Sequence, residues 1–232
     1  MPERNGSMET TIYFADVSPL ANAQRYAHFY AAADERRRRK TDRYRFEADR
    51  MLSLGADGLL RYALKCAGLT RPSQFLTDPN GKPSLADAPD IFFSISHAGT
   101  IAAVAVSDDA VGCDVEPVRP AEERLMRHVL TEAERNACLK ACKATRDELF
   151  FRYWVCKESY LKATGEGLLR DPISVAVDLS AARICVDGAP APYALAEPRI
   201  PNGYRCALVR HGSLSSVRAE FVTIEEIAGG MI

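Results

Sequence analysis

The hydrophobic positions change their spacing along the chain, and each change predicts a different kind of element. Residues 11–17 alternate loosely and end before Ser18 and Pro19, which indicates an opening strand. Between residues 21 and 65 the apolar positions recur at helical spacing, and Gly68 provides a stop signal. The start of the chain is therefore predicted to be a strand followed by a helix-rich segment.

The middle and the end of the chain show mainly strand patterns. Residues 91–95, 100–107 and 111–116 are predicted to be three strands, and Pro117 and Pro120 end the third with a linker-like break. Further strands are predicted at residues 173–179, around Ile184, and at residues 193–196, 204–210 and 217–224.

Two capping-box sequences predict helices between these groups of strands. Thr131 with Glu134, and Thr145 with Glu148, have the spacing in which Thr caps the helix and Glu returns the hydrogen bond. The second helix is predicted to run to about Ala163, where Gly165 follows as a stop signal.

A faint internal repeat suggests the architecture. Residues 60–69 and 159–168 each contain a helix end, a glycine and a leucine, and a proline-bearing loop and strands follow. This pattern predicts an α+β protein made of two similar α/β halves, related by a pseudo-twofold axis, with the active site in the cleft between them. We place the halves at residues 10–110 and 111–228.

Composition narrows the functional classes. The chain has 232 residues, 47% hydrophobic and 26% charged, with a net charge of −1, which argues against nucleic-acid binding as its main role. No apolar run approaches the ~18 residues of a membrane helix, and residues 1–10 lack the apolar core of a signal peptide. The seven cysteines form no CxxC pair, so we expect buried fillers in a reducing, cytoplasmic compartment.

Two carboxylates stand out on the strand at residues 111–116. Asp114 and Glu116 are two residues apart and so share one face of the strand. Adjacent carboxylates repel each other unless a cation lies between them, and oxygen ligands without His or Cys favour Mg²⁺ or Mn²⁺ over zinc. A solvent-facing acidic strand edge explains the same pattern, so the strand alone leaves both interpretations open.

The helix that follows carries a second pair of charges. Glu158 and Lys162 are four residues apart and share one helix face, which is also the spacing of an ordinary surface ion pair. The surrounding helix is broadly apolar, however, and buried charges need partners. A metal beside Glu158 and a phosphate beside Lys162 would supply them.

Three smaller features are compatible with anion binding. Ser96 and His97 lie at a turn between two strands, Lys82 lies between Gly81 and Pro83, and residues 36–40 form a run of five basic side chains. Each also has a plain explanation, as a polar turn, a loop lysine or a solvated helix face. In a chain of net charge −1, the basic run fits a small, highly phosphorylated ligand as readily as nucleic acid.

Together these motifs resemble one family. The sequence G-C-D-V-E around Asp114, followed about 40 residues later by W-V-C-K-E-S-Y-L-K, is similar to the paired signature of 4′-phosphopantetheinyl transferases. The resemblance runs from about residue 30 to residue 170. The length is similar to that of the two-lobed, surfactin-synthetase-activator type, which implies a monomer of two similar halves.

The resemblance implies a role for each matching residue. It implies that Asp114, Glu116 and Glu158 are Mg²⁺ ligands, with Mn²⁺ as the alternative ion, and that Lys162 contacts the coenzyme A pyrophosphate. The other implied contacts are all to coenzyme A phosphates: Ser96, His97, Lys82, Arg37, Lys40 and Ser53, the last four at or beside the 3′-phosphate.

The implied activity is transfer of the 4′-phosphopantetheine arm of coenzyme A to a serine of an apo acyl or peptidyl carrier protein. Adenosine 3′,5′-bisphosphate is the implied leaving group, and Glu158 and Lys162 are the implied catalytic residues. The N-terminal half would contact coenzyme A, and the C-terminal half would hold the metal ligands, the catalytic helix and the carrier protein. A non-catalytic coenzyme A or nucleotide-binding module is the alternative; we expect neither nucleic acid nor a membrane as a partner.

Overall fold

The computed structural model describes residues 9–69, 74–201 and 203–230. Long amphipathic segments form the two main helices, and shorter segments form the others. In these ranges the α-helices are α1 (Ala23–Ala32), α2 (Glu35–Asp42), α3 (Glu47–Cys66), α4 (Glu123–Val129), α5 (Glu132–Lys140), α6 (Lys143–Thr164) and α7 (Ile224–Gly230).

Strands account for most of the remaining regular structure, and with the helices they confirm the predicted α+β class. Their bounds are β1 (Thr10–Asp16), β2 (Phe75–Thr77), β3 (Pro83–Leu85), β4 (Phe92–Ala98), β5 (Ile101–Ser107), β6 (Val111–Pro117), β7 (Val175–Asp178), β8 (Arg183–Val186), β9 (Ala189–Pro190), β10 (Tyr193–Ala196), β11 (Tyr204–His211) and β12 (Val217–Phe221).

The first sheet has the order β12-β1-β5-β4, and α3 packs against one of its faces. Strand β1 is buried on both sides: Tyr13 and Ala15 join the core around α3, whereas Ile12 and Phe14 join a second core on the opposite face. A strand buried on both faces needs apolar residues at nearly every position, which explains why its alternation in the sequence is only loose.

A second sheet, with the order β10-β11-β6, packs against α6. Phe150, Val155 and Leu161 of α6 belong to its core. The opposite face of this sheet meets the first sheet, because Cys113 and Leu208 share a core with Ile12 and Phe14. The molecule thus places two sheets back to back, with one long helix on each outer face.

Serine side chains join the two sheets where β4 approaches β6. The Cys113 N–H donates to Ser94 Oγ at 3.0 Å, and the Val115 N–H donates to Ser96 Oγ at 3.3 Å. Hydroxyl acceptors thereby satisfy backbone donors of β6, which would otherwise be buried without partners. This junction brings the Ser96 segment beside the acidic strand.

The last elements of the chain return to the first sheet. Strand β12 pairs in parallel with β1, and Ile224 and Ile227 of α7 lie in the core around α3. The predicted C-terminal half, residues 111–228, therefore includes a segment that packs with the N-terminal half. The strand predicted at residues 217–224 also ends earlier, at Phe221, because α7 begins at Ile224.

One of the two predicted capping boxes forms. Thr131 and Glu134 exchange both hydrogen bonds at the start of α5. The second prediction is wrong: α6 begins at Lys143, and the Arg146 N–H already donates to the Cys142 carbonyl at 2.8 Å. Thr145 therefore lies inside the first turn, and α4 was not predicted at all.

The cysteines follow the prediction only in part. Cys113, Cys138, Cys156 and Cys206 are buried, but Cys66 and Cys142 are exposed. The expectation that all seven fill the interior is therefore wrong. Among the described helices, none has both the length and the apolar composition that a membrane span requires.

Candidate active site

The close approach of β6 to α6 determines where the predicted site residues lie. A side chain at Gly112 would place its Cβ 2.0 Å from the Ser159 carbonyl oxygen and 2.4 Å from the Ala163 nitrogen. Only glycine permits this contact between two backbones. The contact brings Asp114 of β6 beside Lys162 of α6.

Asp114 is a buried carboxylate whose two oxygens differ in their hydrogen bonding. Its Oδ1 accepts hydrogen bonds from Lys162 Nζ and from Ser96 Oγ, both at 2.7 Å. Its Oδ2 is buried and has no hydrogen-bond partner among the described residues. An unsatisfied buried carboxylate oxygen is costly, so it indicates a missing positive or donor group.

Lys162 supplies a fixed positive charge at this point. Its ammonium also donates to the Cys113 carbonyl, at 3.2 Å. Burial alone would lower the pKa of Lys162. The negative charge of Asp114, with smaller contributions from other groups, more than offsets this, so the pKa lies above the ordinary lysine value. The ammonium therefore stays charged.

Glu116 and Glu158 are two further carboxylates that interact electrostatically with Asp114. Burial, and then the charge of Asp114, raise the pKa of Glu116; burial, then Asp114 and Glu116, raise the pKa of Glu158. The three predicted acids thus repel one another, and a shared cation would relieve that repulsion. Even so, no three His, Cys, Asp or Glu side chains in the described ranges are grouped closely enough to hold a metal ion.

The donor set nevertheless fits a divalent cation of the magnesium type. The available ligands are carboxylate oxygens only, and Asp114 Oδ2 is the oxygen that lacks a partner. The fit rests on that orphaned atom and on the mutual repulsion of the acids.

A cavity of about 710 Å³ opens beside this acidic strand. Its wall carries Asp114 and Glu116 together with a set of cationic and polar side chains from the N-terminal half and α6. The cationic members are Arg36, Arg37, Lys40 and Lys162. Asp34 and Asp57 line the cavity too, so acids and cations are equal in number, and the cations on α2 and α6 provide separate points where anionic groups of a ligand can bind.

His97 also lines the cavity and is expected to be neutral there. Partial desolvation of its ring, and then the charge of Lys162, lower its pKa, with smaller contributions from Lys40 and Arg37. A neutral imidazole can still donate one hydrogen bond to an anion.

Another part of the cavity wall is apolar. Phe75 and Phe93 meet edge to face, with ring centroids 5.9 Å apart, and Leu60 and Ile95 line the same cavity. Phosphate-binding and aromatic walls in one cavity fit a ligand that combines phosphates with an aromatic ring.

Three predicted residues are not brought to the cavity wall. Ser53 is buried, and its hydroxyl pairs with Thr41 Oγ1 at 3.0 Å. The Lys82 ammonium donates to the Ala163 carbonyl at the end of α6, at 2.7 Å. Glu158 is half-buried on α6 but is not among the residues that line the cavity. The predictions for Ser53 and Lys82 therefore do not match their contacts in this structure.

Lys157, the lysine next to Glu158 in the second motif, has a structural position. Its side chain is 1% exposed and lies 2.7 Å from Glu134 Oε2, and its ammonium donates to the Val129 and Pro172 carbonyls. This buried ion pair joins α5 to α6.

Asp57 lines the cavity from the middle of α3 and was not predicted as a site residue. The available signal was its spacing to Arg61, four residues later on the same helix face. The aromatic pair Phe75 and Phe93 was also missed.

Comparison with known proteins agrees with this geometry. A family model described as the 4′-phosphopantetheinyl transferase superfamily matches residues 110–209, a segment that includes Asp114, Glu116, Glu158 and Lys162. Over this segment the chain is similar to the superfamily, and curated relatives extend the similarity beyond it. The superfamily resemblance of the two motifs is thereby confirmed.

Curated members of this superfamily match much of the chain. The 4′-phosphopantetheinyl transferase psf-1 of Bacillus pumilus is 29% identical over 66% of this chain, and Sfp of Bacillus subtilis (strain 168) is 28% identical over 69%. HetI of Nostoc sp. is 32% identical over 56%. The matches span 64%, 70% and 59% of those relatives' own lengths.

One solved structure is also similar to part of the chain. The holo-[acyl-carrier-protein] synthase of Thermotoga maritima matches 45% of this chain and 63% of its own, with a TM-score of 0.34 and 22% identity.

Proposed function

We propose that this protein transfers the 4′-phosphopantetheine arm of coenzyme A to a serine of an apo acyl or peptidyl carrier protein. Adenosine 3′,5′-bisphosphate is the second product. The observation that carries the proposal is the Asp114–Lys162 pair, with its unpartnered carboxylate oxygen, on the wall of a cavity that Arg37 and Lys40 also line. The relatives named transferases support it.

The chain's own cations would bind and orient the phosphates. Arg37 and Lys40 line the cavity on α2 and suit the 3′-phosphate, whereas Lys162 suits the pyrophosphate. A cation held in place by Asp114 stabilises charge that develops on phosphate oxygens without first having to reorganise. The Phe75 and Phe93 rings suit the adenine.

A divalent cation belongs to the same proposal. Asp114, Glu116 and Glu158 would hold Mg²⁺, with Mn²⁺ as the alternative, after their side chains turn toward one another from the separation they have in this structure. The bound ion would neutralise the pyrophosphate. The N-terminal half, residues 10–110, would contact coenzyme A, and residues 111–228 would supply the acids and the carrier-protein surface. We expect a cytoplasmic monomer.

The test of the function is mass spectrometry of an apo carrier protein after incubation with coenzyme A and Mg²⁺. The expected result is a gain equal to one phosphopantetheinyl group on the carrier serine. A panel of carriers from fatty-acid, polyketide and peptide synthesis covers the substrate classes. Binding of coenzyme A with no mass gain on any carrier would favour the non-catalytic alternative.

Glu158 is the residue of this set best suited to accept the serine proton. With Glu158→Gln, we expect turnover at saturating Mg²⁺ to fall by about 10²–10⁴, the usual contribution of positioned proton transfer. Partial recovery at higher pH should follow, as the attacking hydroxyl loses its proton without help. The measurement is initial rate against Mg²⁺ concentration and pH.

Glu148→Gln is the matched control on the same helix, because Glu148 pairs with Arg205 outside the cavity. Its rate should stay close to that of the wild type. Full rescue of Glu158→Gln by Mg²⁺ at neutral pH would show that Glu158 is a ligand only.

Lys82 gives a prediction that separates its sequence assignment from its position in the structure. Because its ammonium bonds the Ala163 carbonyl, Lys82→Ala should lower the free energy of unfolding by about 1–2 kcal/mol. The same variant should bind coenzyme A and 3′-dephospho-coenzyme A with equally reduced affinity. Lys40→Ala, on the cavity wall, is the comparison and should weaken coenzyme A more. If Lys82→Ala affects coenzyme A selectively, Lys82 contacts the 3′-phosphate after all.

A further inference from the structure

Asp57 is a buried carboxylate shared by two guanidinium groups. Its side chain is 6% exposed. Its Oδ1 accepts from Arg37 Nε at 3.0 Å, and its Oδ2 accepts from Arg61 Nε at 2.9 Å. A carboxylate in such a position is tolerated because both of its oxygens are paired with cations.

The same network holds the backbone where α2 begins. Asp34 caps α2: its Oδ1 accepts from the Arg37 N–H at 2.7 Å, and its Oδ2 accepts from Arg61 Nη2 at 3.1 Å. The Arg37 backbone is thus held by Asp34, and its side chain by Asp57. Arg61 links the two acids from α3.

This arrangement leaves one edge of Arg37 available. Its Nε is bonded to Asp57, but its two Nη groups make no hydrogen bond or ion pair with any residue in the described ranges. Arg37 lines the cavity, as do Asp34 and Asp57. A planar guanidinium held at Nε presents its Nη groups in a fixed direction, which is the geometry that binds a phosphate with two hydrogen bonds.

We propose that Asp57 is a positioning residue, which orients Arg37 so that its Nη groups bind a terminal phosphomonoester of the ligand. This inference rests on the proposed function, in which that group is the 3′-phosphate of coenzyme A. Asp57 thereby sets the preference of the cavity for coenzyme A over 3′-dephospho-coenzyme A.

Loss of Asp57 has two consequences of opposite sign. The cavity becomes more positive, which raises the affinity for any phosphorylated ligand. Arg37 also loses its orientation, which lowers the affinity only for the ligand whose terminal phosphate it binds. Because coenzyme A carries the additional phosphate, the added positive charge alone would raise its preference over 3′-dephospho-coenzyme A. A fall in the ratio of the two affinities therefore reports lost positioning of Arg37.

The test is calorimetric binding of both ligands to the wild type, Asp57→Asn, Arg37→Lys and the double variant. Each single change should reduce the preference for coenzyme A about tenfold or more, the value of an oriented charge-assisted contact. The double variant should lose no more than either single variant, since both changes disrupt the same contact. Asp42→Asn, which alters an exposed acid at the end of α2, is the control and should keep the wild-type ratio.

Failure of the positioning role of Asp57 and failure of the proposed function give different results. An unchanged ratio in Asp57→Asn, or losses that add in the double variant, would overturn the positioning role. If Asp57→Asn does not fold, Arg37→Lys decides, because it keeps the charge and lacks the planar fork; a wild-type ratio there overturns the proposal. Wild-type protein that binds neither ligand would contradict the proposed function itself.

Discussion

The Asp114→Asn variant is expected to keep its fold and to lose transfer activity by about 10²–10³ in turnover, the scale of removing one preorganised electrostatic group. Asparagine matches aspartate in shape, so the bonds from Ser96 and Lys162 to Oδ1 can persist. What disappears is the charge opposite the Lys162 ammonium, together with the unpartnered Oδ2. The measurement is the rate of carrier-protein modification at saturating coenzyme A and Mg²⁺.

Asparagine is preferable to alanine here because Asp114 is buried. Alanine would leave both Ser96 and Lys162 without their acceptor, and a loss of stability would then obscure the loss of activity. Glu225→Gln, which removes an exposed ion pair with Arg25, is the matched control and should transfer at the wild-type rate. A folded Asp114→Asn protein with wild-type turnover would remove Asp114 from the site.

Among additions of a single methyl group in the second sheet, Gly112→Ala is expected to destabilise the protein most. The added Cβ would lie 2.0 Å from the Ser159 carbonyl oxygen, and backbone atoms of a long helix cannot move aside independently. We expect a loss of more than about 4 kcal/mol in the free energy of unfolding, or no folded protein. Chemical denaturation followed by circular dichroism measures it.

Gly229→Ala is the matched control for the same chemical change. The methyl group added there would meet no atom within 4 Å beyond its own stretch of helix, and alanine is the better helix former, so α7 should gain about 0.5–1 kcal/mol. An unfolding midpoint for Gly112→Ala equal to that of the wild type would show that β6 and α6 can separate without cost.

Local patterns predicted the fold where the deciding interaction is itself local. The Thr131 capping box was confirmed because both of its hydrogen bonds lie within four residues. Thr145 has the same spacing, yet α6 begins at Lys143, and the bond from the Arg146 N–H to the Cys142 carbonyl leaves Thr145 inside the first turn. The return of β12 to β1 was not predictable in this way, since pairing across that distance leaves no local pattern.

In the candidate site, too, the local pattern predicted some features and not others. Strand periodicity placed Asp114 and Glu116 on one face, whereas the ion pair of Lys162 with Asp114 was not predicted, because it depends on the close packing of β6 against α6. Lys82 was assigned from its match to the family and Ser53 from its spacing, and the structure gives them partners within the protein, the Ala163 carbonyl and Thr41. Spacing does not reveal which way a side chain turns when a closer acceptor is available.

The parallel pairing of β12 with β1 has a consequence for how the protein is made. Because Val217 pairs with Thr10, the outer edge of β1 stays uncovered until β12, much later in the chain, has been synthesised. Contacts of such sequence separation form late, and an uncovered strand edge invites pairing with other chains. Newly synthesised chains that stop short of residue 217 should therefore depend on chaperones far more than the finished protein does.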